Sequence, residues 1–166
     1  MSYLYKIFPI ICLFILTACE SERTTSQTKI LGLWSLHIME VKDAESGEWR
    51  EWKNGMGGFL LYGEGYGALH LFERGFEETD LRFPNFNDSI PIEALKHLTK
   101  SYYYIADYQI DHNNQIITHT RISHSNPGDW GETVQRRFHF SGDTLILQPV
   151  EKENASLRLK WLRQNN

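Results

Sequence analysis

From Lys29 onward, apolar and polar residues alternate with a period of mostly two, the pattern of half-buried β-strands rather than of helices. Ile30 to Val41 reads as a first strand that ends in the polar turn Asp43 to Glu48, and Trp49 to Trp52 as a short one. The stretch "GGFLLYGEGYGALHLFE" predicts a hairpin with Gly63-Glu64-Gly65 as a three-residue loop. Pairing Tyr62 with Tyr66 then places Phe59, Leu61, Leu69 and Leu71 on one face, and Leu60, Tyr62, Tyr66, His70 and Phe72 on the other. Glu73 to Asn87 is irregular and contains Pro84; its acidic part, Glu73 to Asp80, reads as a solvated loop. Ser89-Ile90-Pro91 is a helix start, and Ile92, Leu95 and Leu98 form a small apolar stripe on a single short helix running toward Lys100.

Downstream, Tyr102, Tyr104, Ala106, Tyr108 and Ile110 alternate with Tyr103, Ile105, Asp107, Gln109 and Asp111. "DHNNQ" turns the chain into Ile116 to Ser123, and "SNPGDWGE" is a longer loop before Val134 to Phe140. Ser141-Gly142-Asp143 turns into Thr144 to Val150, Lys152 to Asn154 breaks the run, and Leu157, Leu159 and Trp161 alternate through a last strand. About eight to nine strands in hairpin order with one short helix predict an all-β fold, a closed antiparallel barrel or a sandwich. There is no internal repeat and no second domain.

The first residues follow other rules. Lys6 and the amino terminus give a short positive region, and Ile7 to Leu16 is an apolar run of signal-peptide length, too short to span a bilayer. Leu16-Thr17-Ala18-Cys19 then resembles the lipobox of bacterial lipoproteins. The resemblance implies cleavage before Cys19, lipidation of Cys19 and anchoring of the protein to a membrane of the cell envelope. Glu20 stands where inner-membrane lipoproteins of many Gram-negative bacteria carry Asp, which favours the outer membrane. Glu20 to Lys29 is rich in Ser, Thr, Gln and Glu without apolar period, a flexible tether. Residues 1–18 are thus expected to be the signal peptide, 19–29 the lipidated cysteine and tether, 30–163 the barrel and 164–166 a tail.

Cysteine usage agrees with this. Cys12 leaves with the signal peptide and Cys19 carries lipid, so the mature chain has no thiol for a disulfide, a metal or a nucleophile. The formal charge of −4 becomes one unit more negative when Lys6 is removed, which argues against nucleic-acid binding. Aromatic residues make up 13 % of the chain, a high share, and recur along the strands rather than in one patch.

Catalytic signatures are lacking. There is no Gly-x-Ser-x-Gly, no His-Glu-x-x-His and no cysteine cluster. The glycines at 63, 65 and 67 precede a strand rather than the helix that a nucleotide loop needs. His119 and His124 are five apart, which on a continuous strand sets them on opposite faces and argues against a shared metal. Asp107 and Asp111 read as solvated surface. Arg136 stands out: alternation groups it with Val134, Phe138 and Phe140, away from Arg137. If that face is inward, Arg136 needs a carboxylate, a water-filled cavity or an anionic ligand. Alternatively it caps the barrel mouth in water, or a bulge reverses its face.

The segment from Ile30 to Arg163 resembles the bacterial lipocalin-like domain, within the calycin group of barrels. Gly32-Leu33-Trp34 matches the Gly-x-Trp start of the first strand, and Tyr104-Ile105-Ala106-Asp107-Tyr108 a Tyr-x-Gly-x-Tyr with Ala106 for glycine. Thr118-His119, Asn126-Pro127, Arg136-Arg137-Phe138, Gly142-Asp143-x-Leu145 and Trp161-Leu162-Arg163 follow in order. The resemblance implies that Trp34 plugs one barrel end above Gly32 with Arg163 across its ring, a contact worth about 0.5–2 kcal/mol. It also implies a small hydrophobic or amphiphilic ligand inside the barrel, for which Arg136, Tyr104, Tyr108, Phe138 and His119 are the expected contacts. No cofactor, metal or catalytic residue is expected. Two rival readings are a cyclase- or isomerase-type barrel enzyme using tyrosines and an arginine, and an envelope interaction module.

Overall fold

The computed structural model describes residues 29–82, 89–151 and 155–164. Its strands are β1 (Gly32–Lys42), β2 (Trp49–Glu51), β3 (Gly57–Tyr62), β4 (Tyr66–Phe72), β5 (Ser101–Asp111), β6 (Ile116–His124), β7 (Thr133–Ser141), β8 (Thr144–Pro149) and β9 (Leu157–Arg163). The helix α1 (Ile92–Leu98) lies between β4 and β5, and a 3₁₀ turn (Pro127–Asp129) between β6 and β7. The signal peptide, Cys19, the tether up to residue 28 and the breaks at Pro84 and Lys152 to Asn154 fall outside the described residues. The barrel is the unit from Gly32 onward.

Every neighbouring pair is antiparallel, in the order β1-β3-β4-β5-β6-β7-β8-β9, and β9 pairs back onto β1 to close an eight-stranded barrel. β2 is an additional strand on the late part of β1, through pairs such as Val41 with Arg50. Because β1 begins where β9 ends, Trp34 sits opposite Arg163 at one end of the barrel. There Trp34 is 1 % exposed, the Arg163 guanidinium carbon lies 4.2 Å from its ring centre, and Phe140 is 6.2 Å away. Gly32 has φ +125°, and a Cβ there would come within 2.7 Å of Arg163 Nη1, so both the backbone and the cation require glycine.

Three local expectations are corrected. The β3–β4 loop is Gly63 to Gly65 as expected, but Tyr62 pairs with Gly67 rather than with Tyr66, and Gly63 N–H donates to Tyr66 O at 2.8 Å. That one-residue slip changes which faces meet. Leu60 and Tyr62 join Leu69 and Leu71 inside, while Phe59 and Leu61 point outward. On β6 a bulge at Ile122 skips one residue between the pairs Ile105–Ser123 and Ala106–Arg121. It brings His119 and His124 to the same inner face, both buried. In α1 the buried residue is Ala94, and Ile92, Leu95 and Leu98 are exposed. The helix is held by His97, whose ring stacks on Phe76 at 4.6 Å and whose Nε2 bonds Phe76 O at 2.8 Å.

Candidate functional site

Eight inward-facing rows leave a cavity of about 340 Å³ in the half of the barrel away from Trp34. Its floor is built by Leu60, Tyr62, Leu69, His119 and Trp161, and its outer part by Met39, Trp52, Met56, Tyr102, Arg136 and Pro149. Trp52 is 42 % exposed, so the cavity meets the surface at that rim. The walls are mainly aliphatic and aromatic with a few polar groups, the composition that holds a small molecule by burial and orients it by hydrogen bonds.

His119 is the deepest polar group. Its Nε2 and Tyr62 Oη are 2.8 Å apart, and its Nδ1 is buried with no partner among the described residues. Burial, and then the positive fields of Arg136 and Arg121, push its pKa down to about 3, so the imidazole is neutral. Trp161 Nε1 is likewise buried without a partner among the described residues. Tyr104 is wedged between two imidazoles, edge-on to His119 at 6.2 Å and stacked on His124 at 5.8 Å. Burial raises the pKa of Tyr62, Tyr102 and Tyr104, so all three remain phenols that can donate to a ligand.

Arg136 faces inward because its cross-strand partners, Ile117 and Pro149, do. Nη1 donates to Gln135 O at 2.8 Å and to Glu151 Oε2 at 2.9 Å. The carboxylate that a half-buried arginine on this face demands is therefore Glu151, and the guanidinium retains the N–H groups of Nε and Nη2 for further partners. A second cation, Arg121, was not singled out from the sequence although it shares the parity of His119. Its guanidinium carbon lies 5.4 Å from the Tyr104 ring centre and its Nη1 3.6 Å from Asp129 Oδ1. His124 Nδ1 accepts from Asn126 N–H at 2.8 Å, so that nitrogen carries no proton and its 3.6 Å approach to Asp129 is not a hydrogen bond.

Of the five expected ligand contacts, Arg136, Tyr104 and His119 line the cavity and two do not. Tyr108 donates its hydroxyl to Gly63 O at 2.8 Å and fastens the β3–β4 loop. Phe138 packs edge-on to Phe140 at 6.4 Å in the filled end of the barrel. Both are buried, but alternation, which groups Phe138 with Arg136 and Tyr108 with Tyr104, carries no information on height along the barrel. Trp161 and Met39 were missed as wall residues for the same reason, and Met56 because it precedes β3 and lies outside the alternating runs. Among the described residues no group of three or more His, Cys, Asp or Glu side chains could hold a metal ion.

Residues 31–164 match the family described as lipocalin-like domain. Among curated proteins none matches the chain. Among solved structures it is similar to a mutant of the fluorescent protein UnaG, at 8 % identity and a TM-score of 0.39 over 84 % of this chain and 99 % of that one.

Proposed function

The chain belongs to the lipocalin-like domain family, and from that premise we propose that it is a membrane-anchored carrier of one small amphiphile with an acidic head. Lipocalin-like barrels bind small hydrophobic ligands, and the observation that carries the reading here is the 340 Å³ cavity with Arg136 on its wall. That volume lies at the lower end of the range for small-molecule sites, about 300–1,000 Å³. The apolar part of the ligand fills the space between Leu60, Leu69, Leu147 and Leu159. Its head takes the N–H groups that Glu151 and Gln135 leave to Arg136, with the phenol of Tyr104 or Tyr102 as a second donor. Anchoring is carried by Leu16-Thr17-Ala18-Cys19. Wild-type cells should incorporate labelled palmitate into the protein, and a Cys19→Ser variant should not.

A fatty acid and its methyl ester, titrated into wild type and Arg136→Ala, test the head-group assignment. A charge-assisted hydrogen bond contributes about 1.5–3 kcal/mol, so the acid should lose about tenfold or more in affinity and the ester much less. The variant also frees Glu151 to repel an acid, so Arg136→Ala with Glu151→Gln separates the two effects. Recovery of acid binding in that pair, or equal losses for acid and ester, would remove Arg136 as the reader of charge.

A further inference from the structure

On the outer wall of the barrel, the registers align Leu33 with Leu61, Leu61 with Ala68, and Ala68 with Ile105, an apolar row across β1, β3, β4 and β5. The next row runs Ser35, Phe59, His70, Tyr103. Leu33, Phe59, Leu61, Tyr103 and Ile105 are 40–52 % exposed, although sheet faces turned to water normally carry polar residues. The rows contain no Asp, Glu, Lys or Arg. They enclose a surface depression of about 300 Å³. A chain of ring contacts continues the face upward: Phe59 to Phe72 at 6.2 Å, Phe72 to Phe76 at 6.2 Å, Phe76 to His97 at 4.6 Å. His97 belongs to α1, whose Ile92, Leu95 and Leu98 are exposed in turn.

We propose that this wall, with α1, rests on the lipid bilayer and holds the barrel against the membrane; the inference depends on the anchor at Cys19 proposed above. What selects a bilayer as the occupant is where the tether ends. It joins the barrel at Gly32, and the next residue, Leu33, is the first of the apolar row. The covalent path from Cys19 to Gly32 extends at most about 45 Å. A lipidated chain therefore keeps the Leu33 end of the wall within that distance of the membrane, at an effective concentration that lets a weak apolar patch dock. An uncharged face costs little to dehydrate, and the exposed Tyr66 and Tyr103 are of the residue type that settles at the level of the head groups. Docking on this side also places α1, which sits at the mouth end of the wall, in the lipid surface. An amphiphile leaving the bilayer then has a short path to the cavity.

The test uses the lipidated protein in phosphatidylcholine vesicles, with a spin label on Leu61→Cys, on Tyr103→Cys or on Arg137→Cys. Arg137 is exposed on β7, across the barrel from β3 and β4. All three sites point outward, and a cooperative melt confirms that each variant folds. At Leu61 and Tyr103, collisions with dissolved oxygen should be several-fold more frequent, and with a water-soluble nickel chelate several-fold rarer, than at Arg137. Floating protein with equal accessibilities at all three sites overturns the docking and leaves the anchor standing. Loss of both collision types at Leu61 and Tyr103 assigns the wall to a second copy and also overturns it. Protein that does not float with the vesicles rejects the anchor, and the docking with it.

Discussion

At His119 the barrel buries an imidazole whose neutral form is favoured first by burial and then by Arg136 and Arg121. The folded pKa, about 3, lies below the ordinary value of 6.5. Between those two values the unfolded chain binds the proton more strongly, so the stabilisation is complete above pH 6.5 and is lost as the pH falls. The melting temperature should therefore drop from pH 6.5 toward pH 4. In His119→Gln, which can still bond Tyr62 Oη, the drop should be shallower but not abolished, since burial also lowers the pKa of His124 and His139. Parallel melting curves for the two proteins would show that His119 does not titrate with unfolding. At this scale the sequence is legible in part: alternation grouped Arg136 with the apolar face of its strand and Tyr104 with Tyr108, while His119 was named only as a contact that the resemblance implies. Tyr108 shows the limit, since its bond to Gly63 O depends on the β3–β4 register, which alternation set one residue off.

Among the elements, the β1–β9 seam closes the barrel. Glu40 on β1 bonds Arg158 Nε and, at 2.9 Å, Lys160 Nζ of β9. Burial raises the Glu40 pKa, but the hydrogen bonds and charges of those two cations outweigh it and hold the carboxyl below its usual value of 4.5. Replacing it by Gln should cost about 1.5–3 kcal/mol in urea denaturation at neutral pH. A depressed carboxylate stabilises fully above the unfolded value and loses that effect as the pH falls through the folded one. The gap between Glu40→Gln and wild type should accordingly narrow below pH 4.5. A constant gap would mean that the substitution acts through packing alone. The strands themselves were readable from their period and turn residues. The bulge at Ile122 was not, because the extra residue is accommodated by pairing across β5 and leaves no break in the apolar pattern. The α1 stripe was legible as a pattern, but its burial was not. The helix is fastened through His97 and Phe76 on its other side, and that contact joins residues 21 positions apart.

For the molecule as a whole, hairpin order and nearly uniform strand period made an antiparallel all-β barrel or sandwich legible, and the resemblance to the lipocalin-like domain chose the barrel. Whether the interior is filled was not legible. Near Trp34 and Phe140 large rings occupy the space, whereas between Leu60 and Tyr102 the same types of residue leave 340 Å³. The difference lies in how side chains from opposite walls meet, which no local pattern encodes. Calorimetric titration of dodecanoic acid into wild type and into a Leu71→Trp/Leu147→Trp variant tests that cavity directly, since both leucines line it. Wild type should bind one molecule saturably, and the variant, while still melting cooperatively, should lose binding by more than about tenfold, the loss of at least 1.4 kcal/mol of buried apolar contact. Unchanged affinity in the filled barrel would place the ligand elsewhere and contradict the carrier assignment.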